Sequence, residues 1–171
     1  MFDQAVRLIG STDATDRELG VLVLRELGRP DADGRRPFSS DAVPILRGWL
    51  RQEADPRVLG WVISALGYNA ASEALDEVVG FVDHADARVR FHVAAALPSL
   101  VDPDQIEAGA AAALLRLTCD DDAETRYYAL YALLEEVAGV DPEQFDRAVA
   151  ALVDDPDGQI RTMARTRRAG R

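Results

Sequence analysis

The sequence predicts an all-α solenoid of about five helix pairs, on three observations. A phrase that opens on aspartate and runs on into a helix-forming stretch recurs five times along 171 residues. Its apolar positions fall on one face of a helix. No stretch alternates apolar and polar residues for more than a few positions, so strands are not expected.

Aligned on the aspartate, the copies begin "DATDRELGVLVLREL" at Asp13, "DPRVLGWVISALGY" at Asp55 and "DARVRFHVAAALPSL" at Asp86. "DAETRYYALYALLEE" follows at Asp122 and "DGQIRTMARTRR" at Asp157. Three residues on stand Asp16, Val58, Val89, Thr125 and Ile160; four residues on stand Arg17, Leu59, Arg90, Arg126 and Arg161. Positions +7, +10 and +11 are small or apolar in most copies, as in Val93, Ala96 and Leu97. This rhythm places the second helix of each pair, helix B, near 14–28, 56–69, 87–100, 123–138 and 157–168.

The first helix of each pair, helix A, is expected in the helix-period segments between the copies. These are Phe2–Ile9, Asp41–Gln52, Ser72–Val82, Asp104–Leu117 and Pro142–Val153. Asp55-Pro56, Asp102-Pro103, Asp141-Pro142 and Asp155-Pro156 set a capping carboxylate before a proline that the first helical turn tolerates. From the second copy on, the aspartates lie 31, 36 and 35 residues apart. The first spacing is 42 because a loop, 29–40, with two prolines and three arginines, is inserted after the first B helix. The expected organisation is one repeat domain over 1–171.

Composition narrows the function classes. Hydrophobic residues make up 48% and charged residues 29%, the balance of a globular chain. A net charge of −11 argues against binding nucleic acid, which needs clustered cations, and would steer basic partners inward. All 19 cations are arginine, and the tail "RTMARTRRAGR" holds five of them, leaving −11 − 5 = −16 on the rest. Cys119 stands alone, so a reducing cytoplasm is the expected compartment. "MFDQAVRLIG" has no apolar core of a signal peptide, and no apolar run approaches a membrane span.

The D-x-x-V-R phrase leading into an Ala-Leu helix, "DARVR" at Asp86, resembles the short HEAT-like repeat, of the kind also met in phycobilisome-lyase-type proteins. The resemblance covers roughly Phe2 to Arg168 and implies a right-handed α-solenoid whose B helices line the concave surface. It also implies a ladder of ion pairs along the solenoid, here from Asp55, Asp86, Asp122, Arg90 and Arg126. The aspartates would cap the B helices, and each arginine would reach an aspartate of its own or the neighbouring repeat. The last copy departs, with Arg165 and Arg167 where apolar residues would pack, as suits a capping repeat.

Catalytic signatures are missing. The resemblance would imply His-Glu pairs for a metal enzyme, and the histidines, His84 and His92, have no glutamate beside them. "CDDDAE" at 119–124 and "DDPDG" at 154–158 do not match a calcium loop. Three aspartates beside Cys119 disfavour its thiolate. The reading is no enzyme, no cofactor and no metal.

One pattern exceeds what the repeat needs. Trp61, Tyr68, Phe91, His92, Tyr127, Tyr128 and Tyr131 all lie on B helices, on a flank about 80° or more from the core face. Aromatic residues with a polar edge suit interface centres. Packing between adjacent repeats is the competing use, and Phe91 and Tyr127, pointing furthest from the core, discriminate between the two. Glu18, Glu26, Glu135 and Glu136 border the stripe.

The functional expectation is therefore a non-catalytic protein–protein interaction scaffold gripping a basic protein or peptide on its concave B-helix face. A toxin-neutralising or chaperone-like role would fit. The alternative is a lyase-like enzyme or ligand binder of the same repeat family acting on a tetrapyrrole-type or other small molecule. A homodimer through the aromatic face is a further reading.

Overall fold

Five aspartates set the frame. Asp13, Asp55, Asp86, Asp122 and Asp157 each accept one or two backbone N–H groups at the start of a helix. Each cap satisfies donors that the helix itself cannot, worth about 1 kcal/mol apiece.

The computed structural model describes residues 1–31 and 36–170, and among them ten α-helices follow one another in five pairs. The pairs are α1 (Phe2–Ile9) with α2 (Ala14–Glu26), and α3 (Ser39–Leu50) with α4 (Pro56–Tyr68). Next come α5 (Leu75–Val79) with α6 (Ala87–Ala96), and α7 (Ala108–Leu117) with α8 (Ala123–Tyr131). The last pair is α9 (Pro142–Ala151) with α10 (Gly158–Ala169). This is an α-solenoid.

Several ends differ from the sequence expectation for local reasons. The helix opening at Asp86 stops at Ala96, and Leu97–Ser99 tightens into a 3₁₀ turn around Pro98, which has no N–H to give. Helix α7 begins at Ala108, not at Asp104. The segment ahead of it is drawn into backbone bonds with the loop after α8, Ala138 N to Pro103 O at 2.8 Å and Ile106 N to Ala138 O at 3.0 Å. Helix α8 widens into a π turn over Ala132–Glu136. Of the inserted loop, residues 32–35 lie outside the described residues, and Ser39 already belongs to α3.

The core runs between the A and B layers from end to end. Leu24, Leu46, Leu66, Leu97, Leu114, Leu130 and Ile160 are all fully buried, and each such side chain contributes about 1.5–3 kcal/mol. From α2 to α8 successive B helices lie in close backbone contact, whereas successive A helices touch far less and α10 stands further off α8. The B layer is therefore the inner, concave side of the curve. Helices α4 and α6 approach closest, because a Cβ on Gly67 would stand 3.1 Å from Ala96 Cβ. Buried Asn69 braces the first two pairs, donating to Leu24 O and Ala65 O and pairing with Ser39 Oγ.

Candidate functional site

Behind the concave face, arginine–carboxylate pairs join neighbouring repeats. Arg17 grips Glu53 at 2.7 and 3.0 Å, Arg90 grips Asp120 at 2.6 and 2.8 Å, and Arg126 grips Asp155 at 2.9 and 3.0 Å. The remaining Nη1 of each arginine donates to the two carbonyls just ahead of its own cap, for example Asp120 O and Asp121 O for Arg126.

The acids of these pairs stand two residues before the capping aspartates. There each also accepts the cap residue's own N–H: Asp55 N to Glu53, Asp122 N to Asp120, Asp157 N to Asp155. The capping residues expected as rungs are placed otherwise. Asp55 and Asp122 bind the backbone of their own helices, and Asp86 pairs with Arg88 of its own repeat. One rung is missing. Leu59 replaces the arginine and His84 the acid, its Nδ1 accepting Asp86 N at 3.1 Å; this gap coincides with the tight α4–α6 contact.

Burial alone would raise the carboxyls of Glu53, Asp120 and Asp155. The arginine hydrogen bonds and backbone N–H donors outweigh it and hold all three below the ordinary carboxylate range. These are fully hydrogen-bonded pairs that tie consecutive repeats together.

On that face the aromatic residues form a connected row. Trp61 meets His92 at 5.0 Å, His92 meets Phe91 at 4.9 Å, and Phe91 meets Tyr128 edge-on at 5.0 Å. Tyr128 meets Tyr127 at 5.5 Å, and Tyr127 lies nearly parallel to Tyr131 at 6.3 Å. The row crosses α4, α6 and α8. Tyr68 lies beside it and is covered by Arg25, whose guanidinium carbon is 3.6 Å from the Tyr68 centroid and 5.4 Å from Trp61. Arg25 is held there by Ser64 Oγ at 3.0 Å and Glu26 at 2.6 Å, in a cleft of about 290 Å³.

Exposure within the row reverses one expectation. Phe91 is half-buried against the Tyr128 ring of the next B helix, and Tyr127 against the core and its own helix's Tyr128 and Tyr131, while Tyr68, Tyr128 and Tyr131 are 46%, 39% and 38% exposed. The acidic border also changes. Glu18 is taken up by Trp61 Nε1 at 3.0 Å and by Arg57 at 2.7 Å, and Glu26 by Arg25. Glu135 and Glu136 stay exposed at the far end, the Glu136 carboxyl raised by desolvation. Sequence reasoning overlooked Arg25, one residue beyond the repeating apolar positions of the first copy.

His92 is not poised for chemistry. Burial, and secondarily the charge of Arg25, lower its pKa to about 4, so it packs as a neutral ring. Cys119 is exposed in the turn after α7, 3.9 Å from Thr118 Oγ1. No group of three His, Cys, Asp or Glu among the described residues could hold a metal ion. No helix of the described residues is long and apolar enough to cross a membrane.

The HEAT repeats family matches residues 43–108, spanning the tightly packed α4 and α6. The archaeal HEAT-like repeats protein from Thermococcus onnurineus NA1 superposes over 95% of this chain and 67% of its own, at TM-score 0.59 and 20% identity. Residues 43–108 match HEAT repeats, and the chain as a whole shares their α-solenoid fold. E. coli YibA shares the solenoid at TM-score 0.72 and 14% identity over 95% of this chain, which spans 56% of YibA. A designed armadillo repeat protein in complex with peptide (KR)4 matches at TM-score 0.73 and 17% identity, over 96% of this chain and 79% of its own. Among curated proteins none matches.

Proposed function

We propose that this α-solenoid is a non-catalytic interaction scaffold that takes a basic protein or peptide on its concave B-helix face. The observation that carries the reading is the row of rings ending in exposed Tyr128 and Tyr131, set on the inner side of an ion-paired frame in a chain of net charge −11. Large rigid rings bury area at low entropic cost, and net negative charge speeds encounter with cationic partners. The designed armadillo repeat protein of similar fold, solved with the peptide (KR)4, supports a basic peptide as occupant. Masking a basic surface is the work of a toxin-neutralising or chaperone-like protein, and that is the role we assign. A flat tetrapyrrole-type ligand is disfavoured, since Arg25 already covers the Tyr68 and Trp61 faces.

Calorimetric titration with an alternating Lys-Arg octapeptide tests the reading. The expected result is saturable binding that weakens as salt rises, with no binding of an alternating Asp-Glu octapeptide. Failure to bind the basic peptide at low salt would overturn the proposal.

A further inference from the structure

Resting on that reading, we infer that the partner's arginine or lysine side chain is taken by the Tyr127–Tyr131–Glu135 column at the end of α8, and not by the Trp61–Tyr68 cleft. The protein contains its own example of the chemistry. In the cleft, a guanidinium lies 3.6 Å from the Tyr68 centroid, with a hydroxyl acceptor and a carboxylate beside it. That arrangement joins cation–π attraction to a charge-assisted hydrogen bond. It also closes the cleft to a second cation.

The same ingredients stand on the fourth repeat. Tyr127, Tyr131 and Glu135 follow at intervals of four residues, and the widened turn Ala132–Glu136 keeps Glu135 on the groove side. Among the described residues no guanidinium lies over Tyr127 or Tyr131. The groove between α8 and α10 has a volume of about 550 Å³ and an apolar base in Leu134 and Met163.

Charge agrees. Glu135 and Glu136 stand exposed at this end of α8 with no ion pair taking up either among the described residues, whereas Asp120 and Asp121 at its other end are held by Arg90 and the one cation of α8, Arg126, by Asp155. Arg167 forms the opposite wall, its guanidinium carbon 5.2 Å from the Phe145 centroid. An incoming cation is thus drawn to Tyr131 and Glu135 and repelled by Arg167. The site has a polarity.

That polarity makes the test sharp. The alternating Lys-Arg octapeptide is titrated into wild type and into Tyr131→Leu, Glu135→Gln, Arg167→Gln and Tyr68→Leu, each checked for an unchanged urea midpoint. Tyr131→Leu and Glu135→Gln should each weaken binding about five-fold, the scale of one exposed cation–π contact or ion pair. Arg167→Gln should tighten it, and Tyr68→Leu should leave it within about two-fold, because the Tyr68 face is already filled. Glu135→Gln preserves shape at an exposed position, so its result stands even if the tyrosine variant folds poorly. Wild type that fails to bind overturns the basic-partner reading itself. Wild type that binds, with the α8 variants unchanged and Tyr68→Leu impaired, overturns the column and places the cation in the cleft.

Discussion

Arg126 and Asp155 form a two-pronged pair at 2.9 and 3.0 Å that ties the fourth repeat to the fifth, and both residues are under 10% exposed. The same guanidinium holds the carbonyls of Asp120 and Asp121, so one side chain fixes the turn ahead of its own helix and the turn ahead of the next. Removing it strands a buried carboxylate. Arg126→Met should therefore cost about 3–5 kcal/mol in urea unfolding, far more than an exposed pair would. Arg126→Lys should recover little, since an ammonium cannot span both oxygens and both carbonyls. A loss below about 1 kcal/mol would mean that water screens the pair.

Acid should act in two pH windows with different origins. The His92 imidazole has a folded pKa of about 4 against an ordinary 6.5. Between those values the unfolded chain binds a proton that the folded chain does not, so stability falls as pH drops from 6.5 to about 4. Glu53, Asp120 and Asp155 have folded pKa values below their ordinary 4.5, 3.8 and 3.8. Their contribution is complete above those values and is lost as pH falls through the lowered ones. Urea midpoints at pH 7, 5 and 3 should show His92→Phe flattening the upper window and leaving the lower loss intact. Equal slopes for variant and wild type between pH 7 and 5 would show the imidazole titrating freely in the fold.

What was legible follows from what is local. The capping aspartates and helix periodicity are short-range signals, and α2, α4, α6, α8 and α10 start where those signals sit. The partners of Arg17, Arg90 and Arg126 lie 36, 30 and 29 residues away, and spacing alone could not choose among so many carboxylates. A local clue existed: each capping residue's N–H needs an acceptor, and Glu53, Asp120 and Asp155 stand where one is required. The helical wheel misjudged Phe91 and Tyr127 because it sees neither neighbouring helices nor ring against ring: Tyr128 of the next B helix covers Phe91, and Tyr127 packs on the core beside Tyr128 and Tyr131 of its own helix. Arg25 over Tyr68 joins two repeats outside the core rhythm, so no periodic reading reaches it.

The α4–α6 contact predicts opposite outcomes for one substitution at two glycines. A Cβ on Gly48 would meet nothing within 4 Å, so Gly48→Ala should stabilise by about 0.5–1 kcal/mol through helix propensity. A Cβ on Gly60 would fall 2.4 Å from His92 Cδ2, and that ring is wedged between Trp61 and Phe91 at 5.0 and 4.9 Å. Overpacking of about 1–3 kcal/mol then exceeds the propensity term, and Gly60→Ala should destabilise. His92→Ala removes the obstruction, so in that background Gly60→Ala should turn neutral or stabilising. A double-mutant cycle by urea unfolding measures the coupling. Additive effects at the two positions would mean that α4 and α6 separate to admit the methyl group, and that the Gly60–His92 contact does not set the spacing of the concave face.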